Sequence, residues 1–237
     1  EESQRAVVAA REWNLKYNDI HFSCTVGVHP TRCKQVFADN NDDKKSDQEL
    51  LQELLEIAQD GQSDGTVVAI GEIGLDYDRL EFCPADIQKQ YLIAQLEKLK
   101  STKLPLFLHN RSVGSDLYDI LKEHRDCWTR GGVVHSFDDS LGLANKFIDD
   151  LDLYIGLNGC SLRTEENLQT ASQLPIDHIV LETEYVFFCK STLSHHYKLS
   201  IVVRIARCEQ RTRVSDTFKQ FSRQRRKRSL KGRNSSR

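Results

Sequence analysis

Six short apolar runs punctuate the chain, at 22–28 (FSCTVGV), 67–73 (VVAIGEI), 104–108 (LPLFL), 132–135 (GVVH), 151–158 (LDLYIGLN) and 178–182 (HIVLE). Continuous runs of this length read as strands buried on both faces. Between them lie stretches with apolar residues at helical spacing. In the clearest, Ser46 and Glu49 fit a capping box, leucines recur through LLQELLEIAQ, and Gly61 suits the residue just past the helix end. A second spans 85–100, with Ile87, Tyr91, Leu92, Ala94, Leu96 and Leu99 along one broad face. Strand and helix in alternation predict parallel βαβ units, and no domain-scale linker interrupts residues 1–203.

The polar residues that close these runs choose between an open sheet and a barrel. His29 follows the first run, Glu72 closes the second, His109 the third and His135 the fourth. Gly156–Gly159 end the fifth, and Glu184 lies just past the sixth. A β/α barrel carries its chemistry at the C-terminal ends of several different strands. An open nucleotide-binding sheet would show a glycine-rich turn after one early strand, and G-E-I-G-L-D lacks the G-x-G-x-x-G spacing. The pattern predicts an α/β fold of the TIM type.

A glutamate inside VVAIGEIGLDYD, held between Gly71 and Gly74, is costly unless a cation or a partner side chain satisfies it. Imidazole and carboxylate without thiolate suit a divalent ion such as Zn²⁺, Mn²⁺ or Mg²⁺. Glu72 has two oxygens and could bridge two ions, a pairing that generates hydroxide and stabilises the leaving oxygen of a phosphodiester. The flanking glycines would let a bulky ligand approach. Each residue also has a plainer reading: a strand-end histidine as a hydrogen-bonded core residue, Glu72 as the partner of an arginine. Four such residues at successive strand ends favour a shared site. Arg111, two residues after His109, is either a phosphate-gripping guanidinium or one half of a salt bridge to an acidic rim. His195 and His196 sit in a polar stretch and read as surface.

Composition narrows the class. No apolar run is long enough to span a bilayer, and no signal-peptide pattern opens the chain. The chain begins Glu1-Glu2 and has no methionine, which reads as a fragment or a processed product. Seven scattered cysteines without a C-x-x-C pair fit packed free thiols in the cytoplasm or nucleus. Residues 1–203 carry a net charge of −13, whereas thirteen Lys and Arg crowd 204–237 against Glu209 and Asp216. The expected division is an incomplete barrel domain at 1–203 and a basic tail at 204–237. The tail reads as a disordered nucleic-acid-binding or nuclear-targeting arm, or as a non-homologous end with no selected role.

Taken in order, TVGVHPTRC, VVAIGEIGLDYDRLEFCP, KLPLFLHNR, GGVVHSFD, LYIGLNGCSLRTEENL and IVLETE resemble the TatD-type metal-dependent deoxyribonucleases over about residues 1–184. The resemblance implies a (β/α)8 barrel that hydrolyses DNA, as a 3′–5′ exonuclease or an endonuclease. It implies divalent metal, two ions in the complete site, DNA as the partner, and no obligate protein partner or membrane. Glu72 resembles the family's catalytically required metal-binding glutamate, His109 and His135 its following metal histidines, and His29 an active-site histidine. Glu184 falls on the family's last-strand aspartate, as ligand and catalytic group. Three departures stand out. The first two barrel strands and the closing helix are missing or diverged, Glu184 is one methylene longer than aspartate, and Tyr185-Val186-Phe187 replace A-P-W. Two other readings remain: a non-catalytic nucleic-acid-binding remnant, and a metal-dependent amidohydrolase with the same ligand set.

Overall fold

The computed structural model describes residues 1–38, 45–159, 161–187 and 197–203, with backbone alone for 184–187 and 197–203. Six of its strands are parallel and neighbour one another in chain order: β1 (Cys24–Val26), β2 (Val67–Asp76), β3 (Leu106–Arg111), β4 (Gly132–His135), β5 (Tyr154–Leu157) and β6 (Ile179–Phe187). The helices are α1 (Glu2–Lys16), α2 (Asp47–Ser63), α3 (Ala85–Leu99), α4 (Asp116–Glu123), α5 (Leu141–Asp149) and α6 (Glu165–Gln173). A parallel sheet in sequential order, with a helix in each crossover from β1 to β6, is the architecture of a β/α half-barrel. All five residues from Leu106 to Asn110 are buried, as a strand covered on both faces requires.

Each of the six runs overlaps a strand, though the strands at 24–26 and 154–157 are shorter than their runs and β2, β3 and β6 continue past theirs. A seventh strand, β7 (Tyr197–Val203), pairs with β6 antiparallel. Only residues 188–196 separate the two, too few for the helical crossover that a parallel neighbour needs. None of the six apolar runs predicts a strand there. His195, His196 and the tail 204–237 lie outside the described residues.

Helix α2 begins as expected. Ser46 Oγ accepts the Glu49 backbone N–H, and the Glu49 carboxylate accepts the Ser46 N–H at 2.8 Å. Its end differs: Gly61 lies inside the helix, which runs on to Ser63. A Cβ at Gly61 would stand 2.3 Å from Val67 Cγ2, so this glycine serves close packing of α2 against β2 rather than termination. Phe37 stacks on Tyr91 with ring centroids 4.4 Å apart, in a cluster with Cys33, Leu51 and Cys83 that ties α2 to α3.

Helix α3 also does polar work. Gln88 and Gln95 are two turns apart on its buried face. Gln95 Oε1 accepts the Val28 N–H at 2.7 Å and its amide donates to Val28 O at 3.2 Å. Gln88 does the same for Asp76, at 2.7 and 2.8 Å. Both glutamines supply the ladder bonds that two strand ends lack. They thereby fix the backbone next to His29 and at Asp76.

Candidate metal centre

Strands β2 and β3 run in register from Ile70–Leu106 to Gly71–Phe107, and then Ile73 pairs with Leu108. Glu72 is the extra residue of a β-bulge, which turns its side chain and bends the strand. Strand β2 does not finish there but continues to Asp76. The glycines belong to the backbone. A Cβ on Gly71 would meet Phe107 O at 2.3 Å, and one on Gly74 would meet His109 O at 2.1 Å. The approach they permit is that of β3, not of a ligand.

His109 stands between two carboxylates. Its Nδ1 is 2.7 Å from Glu72 Oε1 and its Nε2 is 3.1 Å from Asp76 Oδ2. Burial favours the neutral form of all three groups, but the hydrogen bonds and opposite charges outweigh it. Both carboxyls titrate below their ordinary values, and the imidazole above its own. Glu72 Oε1 also lies 3.7 Å from His29 Nε2 and 3.6 Å from His135 Nε2. Three histidines from three different strands or strand ends converge on one carboxylate oxygen.

Each outer histidine is held from behind. His29 follows β1, and its Nδ1 accepts the Thr31 backbone N–H. A neutral His29 therefore carries its proton on Nε2, facing Glu72. His135 ends β4 with its Nδ1 3.0 Å from Glu182 Oε2. Glu182 is buried on β6, and the Ser136 N–H donates to the same oxygen at 2.9 Å. Asn158, following β5, donates to Ser136 Oγ at 2.6 Å.

The donor set suits a divalent cation. Donor atoms of His29, Asp76 and His109 lie within 4.8 Å of one another, and all are imidazole nitrogens or carboxylate oxygens. Glu182 Oε1 is buried with no hydrogen-bond partner among the described residues. Glu72 and Asp76 bring two carboxylates to one imidazole, a concentration of negative charge that a cation relieves.

The family model for TatD-related DNases matches residues 2–220. The chain belongs to this family. It is 41% identical over 182 residues to the deoxyribonuclease Tat-D of Schizosaccharomyces pombe, covering 77% of this chain and 56% of the relative. It is 32% identical over 123 residues to the uncharacterised metal-dependent hydrolase YabD of Bacillus subtilis, covering 51% of this chain and 47% of that protein. A crystal structure of an uncharacterised amidohydrolase from Saccharomyces cerevisiae superposes with a TM-score of 0.62 at 29% identity, over 76% of this chain and 60% of that one. The chain spans about half the length of the curated relatives it matches.

Around this TatD-family centre, the expected residues divide. Glu72, His29, His109 and His135 come together. Arg111 ends β3, with Nε 3.6 Å from Asp138 Oδ2 and no hydrogen bond to that nitrogen among the described residues. Burial pushes the Asp138 carboxyl up, against the pull of Arg111. Position 184 is on β6, two residues beyond Glu182, and its side chain lies outside the described residues. The sequence alone assigns no role to Asp76, Glu182, Ser136, Gln88 or Gln95. For Glu182 a signal existed: like Glu72, it is a carboxylate inside an apolar run, in HIVLE. The glutamines carried none, because an amide on a helix reads as solvated until its partner strand is known.

Proposed function

We propose that this chain is the catalytic portion of a metal-dependent deoxyribonuclease that hydrolyses phosphodiester bonds in DNA. The observation that carries the reading is Glu72 Oε1 within 3.7 Å of imidazole nitrogens of His29, His109 and His135. Glu72, His109 and His135 would hold metal, with Glu184 as a further ligand and catalytic group, and the complete site would take two ions. Mg²⁺, Mn²⁺ and Zn²⁺ all fit such donors. When bound, the ion would supply Lewis acidity toward a phosphoryl oxygen and would lower the pKa of a water.

The remaining steps belong to the chain. Ionised Glu72 offers one oxygen as ligand and the other as a proton acceptor beside it. His29 points a proton from Nε2 into the site, where it can stabilise charge on a phosphoryl or leaving oxygen. Arg111 grips a phosphate by exchanging Asp138 for the substrate. The unit is residues 1–203, and the basic tail 204–237 adds sequence-independent attraction to phosphates. The free thiols Cys33, Cys83 and Cys127 are buried, which fits work inside the cell, in nucleus or cytoplasm.

The deciding experiment is metal content together with single-stranded DNA cleavage, for wild type and Glu72→Ala. Metal retention and cutting by wild type, with neither in the variant, supports the nuclease. Metal-independent DNA binding without cutting in either form replaces it with a non-catalytic binding module. The likeness to the uncharacterised S. cerevisiae amidohydrolase supports amide hydrolysis as the second reading. A panel of phosphodiester and amide substrates separates the two.

A further inference from the structure

We infer that Glu182 is a positioning residue for His135, locking its imidazole in the Nδ1–H tautomer so that Nε2 turns a lone pair into the metal centre. This rests on reading the site as a metal centre.

Glu182 Oε2 already accepts the Ser136 backbone N–H at 2.9 Å, which can only donate. The same oxygen therefore accepts from His135 Nδ1, 3.0 Å away, and the ring proton sits there. Ser136 Oγ takes the Asn158 amide at 2.6 Å and lies beside both ring nitrogens, 3.0 Å from Nε2 and 3.3 Å from Nδ1, so the Glu182 side decides the tautomer. With the proton on Nδ1, Nε2 is left as the acceptor. It faces Glu72 Oε1 at 3.6 Å, and two acceptors set against each other at that distance call for a cation between them. His29 is set the opposite way, with Nδ1 accepting from Thr31 and Nε2 donating. One histidine is prepared as ligand and the other as donor.

Packing keeps Glu182 in place. A Cβ at Gly156 would stand 2.0 Å from Glu182 Oε1 and 2.5 Å from its Cδ, so the carboxylate occupies the space a side chain on β5 would take. A carboxylate kept for folding alone would have both oxygens paired, whereas Oε1 has no hydrogen-bond partner among the described residues. A carboxylate behind a ligating histidine fixes the ring and raises its basicity.

The test uses the whole chain as wild type, Glu182→Gln and Glu182→Ala, each checked for folding by its amide NMR spectrum. In metal-free protein, ¹⁵N-histidine shifts should show Nδ1 of His135 protonated in wild type and in Glu182→Gln, whose amide oxygen still accepts. A mixture of tautomers is expected in Glu182→Ala. Titration with Co²⁺ should be about 10- to 100-fold weaker for Glu182→Ala, with Glu182→Gln between it and wild type. The visible absorption intensity, which reports coordination number, should be the same in all three. Unchanged Co²⁺ affinity or an unmoved His135 tautomer in Glu182→Ala overturns the inference. So does an intensity change showing a lost ligand, which would make Glu182 a ligand itself. Should Glu182→Ala not fold, a His135 protonated on Nε2 in the metal-free wild type overturns it equally. If wild type takes up no Co²⁺, the metal-centre reading fails while the tautomer measurement still decides what Glu182 does.

Discussion

Glu72 Oε1 and His109 Nδ1 lie 2.7 Å apart across β2 and β3, and a β-bulge in β2 makes that contact. Without the extra residue, the side chains beyond Gly71 would fall on the opposite faces of the strand. The bulge thus joins a feature of sheet geometry to a feature of chemistry.

Glu72→Ala removes the oxygen on which three histidines converge. Cleavage of single-stranded DNA should fall by about 10²–10⁴-fold or more, the range for loss of a positioned acid–base group. Bound metal should fall with it, read by elemental analysis of the purified chain. A variant that keeps both metal and cleavage would remove Glu72 from the site.

The pH dependence of the metal-free protein follows from the same contacts. The carboxyls of Glu72 and Asp76 titrate below 4.5 and 3.8, so their stabilisation is present above those values and is lost as pH falls through the depressed ones. His109 titrates above 6.5, so its contribution is complete below that value and is lost as pH rises through the raised one. All three act together at about pH 5–6. The difference in Tm between wild type and Asp76→Asn should be largest there and shrink on both sides. A metal at His109 must displace its proton, so binding should release protons, as calorimetry in two buffers of different ionisation enthalpy would show. A Tm difference that is flat across pH 4–9 would contradict this.

Gly74 has φ +143° and a neighbour, His109 O, only 2.1 Å from where a Cβ would go. Gly74→Ala should cost about 1–3 kcal/mol in unfolding free energy, as overpacking does, and should weaken metal binding by moving His109. Denaturant unfolding and Co²⁺ titration of the same sample check both. An alanine variant of wild-type stability would show that β3 can withdraw freely.

Gln88→Ala strips the Asp76 N–H and C=O of their side-chain partner. Leaving buried polar groups unpaired should cost about 1–3 kcal/mol. Because Asp76 also contacts His109, the His109 ¹⁵N shifts should move in this variant. A loss of stability with unmoved His109 shifts would limit Gln88 to a structural part.

Arg111→Ala should raise KM for DNA with metal content unchanged, and should flatten the dependence of binding on salt. Arg111→Lys should restore only part of the affinity, because an ammonium cannot make the paired contact of a guanidinium. Equal KM in all three forms would leave Arg111 as the partner of Asp138 alone.

Local patterning, by itself, determined the elements of this protein. Runs of apolar residues marked the six parallel strands, helical spacing and the Ser46–Glu49 box marked α2, and the carboxylate and imidazoles at strand ends marked a site. Such features are legible because period, capping and the cost of a buried charge are local properties. What only the tertiary structure decided is everything that depends on which strand lies beside which. Gly61, Gly71 and Gly74 are close contacts between elements, not a helix stop or a ligand cradle. Gln88 and Gln95 are strand clamps, Asp76 is the second carboxylate on His109, and Glu182 is the one behind His135. Glu182 and His135 are 47 residues apart in the chain and 3.0 Å apart in space. No spacing rule joins them; parallel pairing of β4, β5 and β6, with a glycine on the middle strand, does.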